Sequence, residues 1–416
     1  MSGPKKRPEN KVILSTNDPD WHFEDPFQPQ TPLGSSTPER ASSPVGARLP
    51  KVAPWWRWAV EPAEAFKLLI APIILYISWE LFFPLIAPVL EVLVPAISQY
   101  LSDGRVPNPF GPIFLISHRV TSDPDDPRYA KGWCDLMFLA YNIVFFSCFR
   151  QLIMVNWSRP IAKYFGLKTE AKLDRFGEQI YAAVYFLLSG AWGFCMMRQL
   201  PAWWFRTEYF WIDYPHWDMK PQFKRYYLMQ TAYWCQQFIV LVLGLEKPRK
   251  DLNNLVVHHV VTLWMIGGSY IMNATLLGNA VFLSMDIPDM CFSISKLLNY
   301  IRWKRAKVFS FAVFFCVWTY FRHYLSLRIL WSVWTEFELI PEHTRQWAPV
   351  EGIYFVWWMK HQMFGALALL QALNLFWYYL IIRVAVRTIA TSTTEDDRSD
   401  DEGDDEEDEE EPAEKK

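Results

Sequence analysis

RKDLNNLVVHHVVTLWMIGGSYIMNATLLGNAVFLSMDIPDMCFSISKLLNYIRWK, from Arg249 to Lys304, decides how the rest of the chain is read. It holds two apolar runs, each long enough to cross a hydrocarbon layer ~30 Å thick. Asn273 to Leu277 joins them, a turn so short that the two runs must form a hairpin. His258 and His259 stand inside the first run, Asp286 and Asp289 inside the second. An ionisable side chain at the centre of a bilayer costs at least ~2.5 kcal/mol unless it finds a partner or a wet cavity. Four of them in one hairpin predict a site, with the other helices serving as its wall.

Outward from the hairpin, the 416-residue chain is 51% hydrophobic with 22 Trp, and its charge collects at both ends and in short connectors. That segregation excludes a large soluble enzyme, whose apolar residues would be interspersed with charge, and indicates a polytopic membrane protein. The tail from Glu395 to Lys416 has 15 Asp/Glu against 3 Lys/Arg, a net of −12 that leaves +9 on the body. A positive body suits anionic lipid headgroups or phosphate-bearing ligands on one membrane face, and no nucleic-acid partner is expected. Cys134, Cys148, Cys195, Cys235, Cys291 and Cys316 lie in or beside apolar runs without CxxC spacing, so neither a disulfide framework nor a zinc site follows.

Residues 1–53 carry too little apolar surface to offset the entropy of ordering and are expected to be disordered, with no signal-peptide core. Residues 54–164 are read as N-terminal spans and a far-side connector. Trp55, Trp56 and Trp58 surround Arg57 as an interfacial anchor, and Pro72, Pro84 and Pro88 are expected to break the first span. Further apolar runs at about 133–155, 179–198, 226–245, 253–273, 277–300, 307–333 and 352–384 give an all-α fold of about eight transmembrane helices.

Basic residues mark every second connector: Arg159 to Arg175, Lys247 to Lys250, and Arg302 to Lys307, with Arg383 and Arg387 on the same side. The positive-inside bias therefore places these connectors and both termini in the cytosol. Connectors 102–131, 199–225, 273–277 and 334–351 face the other compartment. Asn273-Ala274-Thr275 on that side is formally a glycosylation sequon, too close to the membrane to be used. The tail 391–416 repels itself and stays extended; Thr394 and Ser399, each followed by three acidic residues, are candidate phosphorylation sites, with a plain solubilising tail as the alternative.

Helix geometry narrows which groups meet. His258 lies 17 residues from Thr275 and Asp289 lies 14, so their depths differ by about 4 to 5 Å. Asp286 and Asp289, three apart, share a helical face, and Pro288 between them should expose the carbonyl of Ser284. Adjacent His258 and His259 point ~100° apart, so one does chemistry while the other orients it or packs. Arg322 and Asp286 come out at nearly the same depth, about 22 and 21 Å, which predicts an ion pair between them and leaves Asp289 to partner a histidine. Lys296 at the cytosolic mouth is a substrate-binding candidate together with Arg322, Trp264 and Asn299.

A histidine oriented by a carboxylate is a general base near neutral pH or a nucleophile toward an activated acyl group, and needs no metal. Two His and two Asp could also bind a metal, but the HxxHH and ExxH repeats of di-iron membrane enzymes are absent from the sequence. A purely structural role, tying helices together, is the remaining alternative.

KDLNNLVVHHVVTLW, SMDIPDMCFSISKLLNY and, upstream, WIDYPHW and KRYYLMQTAYWCQQF closely resemble the signature of the longevity-assurance ceramide synthases, fungal-like members of the TLC-domain superfamily. The match is motif by motif over about 205–330, and the span pattern extends it to a TLC catalytic domain at 165–390, a six- to seven-helix barrel enclosing an intramembrane cavity. The resemblance implies an endoplasmic reticulum enzyme that moves a fatty acyl chain from acyl-CoA, as co-substrate and without a cofactor, to the amine of a sphingoid base. It assigns His258 and His259 to the catalytic pair and Asp286 and Asp289 to the essential acidic pair. No homeobox-like domain stands between the first two spans, which points to a fungal-type member acting on dihydrosphingosine or phytosphingosine. A homo- or heterodimer with a paralogue and a small single-span accessory subunit are the partners so implied. The connector from Val333 to Gly352 is expected to cap the cavity bottom and to set acyl length. A non-catalytic lipid-binding or trafficking TLC protein is the alternative; it would not need the paired His and paired Asp.

Overall fold

The computed structural model describes residues 53–93, 107–121, 123–246, 251–301 and 303–391. Thr394, Ser399, the acidic tail and the basic connector 247–250 lie outside them. Every apolar run found in the sequence is helical. In chain order the principal helices are α1 (Pro62–Leu93), α2 (Asp135–Leu152), α3 (Glu170–Gln199), α4 (Pro221–Val242), α5 (Leu252–Ile271), α6 (Thr275–Tyr300), α7 (Lys304–Trp318), α8 (Ser326–Thr335) and α9 (Trp357–Thr391). A π-helical turn, Thr319–Leu325, joins α7 to α8 without a break, so these make one rod.

Among the described residues, five rods are long and apolar enough to cross a membrane on their own: Pro62–Val89, Asp135–Tyr164, Glu170–Gln199, Arg305–Thr335 and Trp357–Arg387. The other three, α4 to α6, carry several buried polar side chains, among them Lys224, Gln230, His258, His259, Asn279 and Asp286. Polar residues lower their hydropathy because neighbouring helices, and not lipid, receive them.

The expected break in the first span does not occur. α1 runs through Pro72, Pro84 and Pro88 as one helix, because in a lipid-facing segment no other backbone arrangement can satisfy the remaining polar groups. The connector 102–131 is also more ordered than a polar linker. It holds a short helix, Gly111–Phe114, and strand β1 (Tyr129–Ala130), which pairs antiparallel with β2 (Asp218–Met219). Lys224 at the start of α4 clamps this connector: it is buried, pairs with Asp135 at 2.7 Å and donates to the carbonyls of Ser117 and Ala130. Tyr270 donates to the other oxygen of Asp135 at 2.8 Å.

α3 packs along α6, α4 against α2, and α7 against α6, while α1 rests on α2. One close approach needs glycine: a Cβ on Gly278 of α6 would collide with the Tyr227 hydroxyl of α4. The main core extends from the cavity wall to the end opposite the basic connectors, where Trp211, Tyr214, Phe337 and Phe355 are fully or almost fully buried. Tyr214 stacks on Phe355 with centroids 4.1 Å apart. The connector from Val333 to Gly352 contributes Phe337 and Ile340 to this core. It therefore packs into an aromatic plug with Trp211 and Phe355. Asn273 is buried at the hairpin turn, its amide donating to the Gly352 carbonyl at 2.7 Å.

Candidate active site

A cavity of about 360 Å³ opens among α3, α4, α5, α6, the α7 rod and α9, in the half of the bundle nearest the basic connectors. That is within the range of small-molecule sites, and a mixed apolar and polar wall is their usual composition. His258 and His259 from α5, Asp289 from α6 and Arg322 from the π turn all line it. The depth argument for bringing His and Asp289 together therefore holds. Among the described residues, no three His, Cys, Asp or Glu side chains form a metal-ligating cluster.

The ion pair differs from the one the depth count selected. Arg322 Nη2 binds Asp289 Oδ1 at 2.6 Å, and makes no pair with Asp286. The same nitrogen lies 3.3 Å from the Met285 carbonyl, Nη1 donates to Asn374 Oδ1 at 3.0 Å, and the guanidinium lies 4.6 Å from the centre of the Trp318 ring. Depth alone could not choose between carboxyls one turn apart; azimuth does. Pro288 removes a donor from the turn that holds Ser284 and Met285, and it is the Met285 carbonyl, one residue past the expected Ser284, that takes the guanidinium. Asp289 is consequently engaged by arginine and is not the orienting partner of a histidine.

Asp286 is fully buried away from the cavity wall. Its Oδ2 accepts from Gln230 Nε2 at 2.5 Å, and Gln230 is held in turn by the hydroxyls of Tyr185 and Tyr226. A Cβ on Gly190 of α3 would lie 3.9 Å from the Asp286 Cβ, which shows the carboxyl facing the α3–α4 side. The two aspartates thus do different jobs: Asp289 lines the cavity, while Asp286 ties α6 to α4.

His259 Nδ1 sits 2.9 Å from the Leu255 carbonyl one turn earlier on α5. A carbonyl only accepts, so Nδ1 carries the hydrogen of this contact. His258 Nδ1 is buried with no hydrogen-bond partner. Two indoles pack on the pair: Trp234 with its ring centre 5.8 Å from each imidazole, and Trp377 at 5.3 Å from His258. Trp377 Nε1 donates to Asp251 Oδ2 at 3.0 Å. Asp251 stands at the N-cap of α5 without capping it, because its carboxylate is turned to Trp377.

Three further candidates are not on the cavity wall. Trp264 is exposed and borders a separate small cavity of about 50 Å³ between α5 and α9. Lys296 lies over the Phe292 ring at 5.3 Å, and Asn299 accepts from Lys307 at 3.4 Å. The acidic side chains at the mouth, Glu178 and Glu246, pair with Arg175 and Arg150. Trp234, Asp251, Trp377 and Gln230 are site residues that the sequence did not single out. Trp234 and Gln230 do lie in YLMQTAYWCQQF, a stretch used only for its resemblance.

A helical bundle with long apolar rods around a His, Asp and Arg cavity defines a polytopic membrane protein with an intramembrane polar site. The TLC-domain family model matches residues 175–383, and the chain belongs to that family. It is 41% identical to the sphingosine N-acyltransferase lac1 of Schizosaccharomyces pombe over 65% of this chain and 70% of that protein. The ceramide synthase LAG1 of Saccharomyces cerevisiae is 38% identical, with 74% of each chain covered. Ceramide synthase 4 of Bos taurus is 31% identical over 54% of this chain and 53% of its own.

Proposed function

We propose that the protein transfers the acyl group of an acyl-CoA to the amine of a sphingoid long-chain base, dihydrosphingosine or phytosphingosine, forming a ceramide inside the membrane. The observation that carries the reading is one cavity wall holding His258, His259 and the Asp289 to Arg322 pair. The relatives named as sphingosine N-acyltransferases and ceramide synthases support it. All eight rods cross the membrane of the endoplasmic reticulum, with the basic connectors and both termini in the cytosol. Acyl-CoA enters from that side, its chain running along the apolar wall. No metal or cofactor is required, and a paralogue and a single-span accessory subunit are candidate partners.

Nε2 of His259 is the atom through which the acyl group or the amine proton passes, since its ring tautomer is set by Leu255. Asp289 and Arg322 hold α6 and the π turn in register so that the imidazoles keep their place. Purified wild type, His259→Ala and Asp289→Asn, assayed with a panel of acyl-CoAs and long-chain bases, test the reading. Loss of amide product in both variants with folding retained is the expected outcome; activity in His259→Ala removes the site. A covalent acyl adduct on His259 selects the acyl-imidazole route, and sequential kinetics without one select direct attack. Binding of lipid without turnover by the wild type would identify a transport protein instead.

A further inference from the structure

Amide formation from a thioester has one requirement that the histidines and the Asp289 to Arg322 pair leave unmet. As the nucleophile bonds to the carbonyl carbon, the π pair moves onto the oxygen, and that oxyanion needs a donor positioned beforehand in a dry site. The pair then returns, the carbon–sulfur bond breaks and the CoA thiolate leaves. In direct attack the amine proton passes to His259 and ends on the thiolate; in the acyl-imidazole route the imidazole's other ring proton goes to the leaving thiolate, and the amine proton goes to the imidazole nitrogen released as the amide forms. Direct attack passes through this oxyanion once and the acyl-imidazole route twice.

The donors around the imidazoles are few. Arg322 commits both terminal nitrogens, to Asn374 through Nη1 and to Asp289 and the Met285 carbonyl through Nη2, and its Nε, buried without a partner, belongs to a guanidinium stacked on the Trp318 ring and not on the imidazoles. Trp377 packs on His258 but gives its N–H to Asp251. Trp234 lies against both imidazoles, lines the cavity, is 7% exposed, and its Nε1 is buried with no hydrogen-bond partner. Trp318 also has an unpartnered indole nitrogen, but its ring lies under the Arg322 guanidinium. A buried N–H left unpaired is a cost to the folded protein, and buried indoles ordinarily find an acceptor. Of the two indoles on the histidine pair, one has given its N–H away and the other has no acceptor within the protein.

We propose that the Trp234 indole N–H is the donor that receives the thioester oxygen as it becomes an oxyanion. This rests on the N-acyltransferase reading, and it makes Trp234 a catalytic residue. A ring that only packs against the histidines would use its faces and leave the N–H immaterial.

The test removes the N–H from the protein and the carbonyl from the ligand. In full-length purified protein, Trp234→Phe keeps a ring in place; kcat should fall by about 100-fold, with KM for acyl-CoA changed by less than about threefold. Two unreactive acyl-CoA analogues are bound in parallel, a ketone that retains the carbonyl and a thioether that lacks it. Wild type should prefer the ketone, and Trp234→Phe should lose that preference while binding the thioether as before. A packing role would weaken both analogues equally. Wild-type kcat in Trp234→Phe, or equal affinity of wild type for the two analogues, overturns the proposal. Should the Phe variant not fold, the wild-type preference still decides, and Trp234→His, which keeps a ring N–H, should retain part of it. Absence of amide product from wild type with every base and acyl-CoA would instead overturn the underlying reading.

Discussion

Arg322 and Asp289 show how much one contact decides at the level of single residues. The arginine side chain is 3% exposed and its partner 21%, so the guanidinium is the more deeply desolvated of the two. Replacing Arg322 by Met leaves a carboxylate in the cavity wall without its cation. That should destabilise the protein by about 3 kcal/mol, the lower end of the range for a broken buried pair because Asp289 faces a cavity. Adding Asp289→Leu should restore most of the loss, since removing both charges also removes the desolvation cost. Unfolding titrations of the two variants give the comparison; a double variant no more stable than Arg322→Met would show that the guanidinium acts through Asn374 and Met285 and not through the carboxylate.

Among elements, the π turn at Thr319–Leu325 matters most. Its extra residue sets the direction in which Arg322 leaves the α7 rod, and such turns often coincide with functional sites. Deleting Thr319 should let the rod continue as an ordinary α-helix and shift Arg322 by ~100°, one residue's rotation, relative to α7. N-acyltransferase activity should then fall at least tenfold while helix content measured by circular dichroism stays unchanged. Unchanged activity would mean that the guanidinium reaches Asp289 from either helix type.

The molecule as a whole is closed at the end opposite the cavity by a clamp outside the spans. Lys131 in the connector donates to the Ile271 carbonyl and lies 5.1 Å from the centre of the Tyr354 ring. Burial pushes its ammonium down from 10.5 to about 8. A lysine depressed in the folded state binds fewer protons there than when unfolded between about pH 8 and 10.5. In that window its contribution to stability rises with pH, and below about 8 the cost of the buried charge is fully present. Melting temperatures measured from pH 7 to 10.5 should therefore climb more steeply in wild type than in Lys131→Met. Parallel curves would remove Lys131 from the linkage.

Composition, hydropathy and the spacing of HH and DxxD were enough to determine an α-helical membrane protein, the helical runs and the depth at which His258, His259 and Asp289 share a cavity. These are one-dimensional properties: apolar length sets a rod, and residue count along it sets depth. Azimuth and long-range partners are not one-dimensional. Only the tertiary structure could decide that Arg322 takes Asp289 while Asp286 turns to Gln230, that Trp264, Lys296 and Asn299 stand off the cavity wall, and that the Val333 to Gly352 connector seals an aromatic plug. Each of those outcomes depends on how far one helix is rotated against another, a quantity fixed by packing between segments remote in the chain.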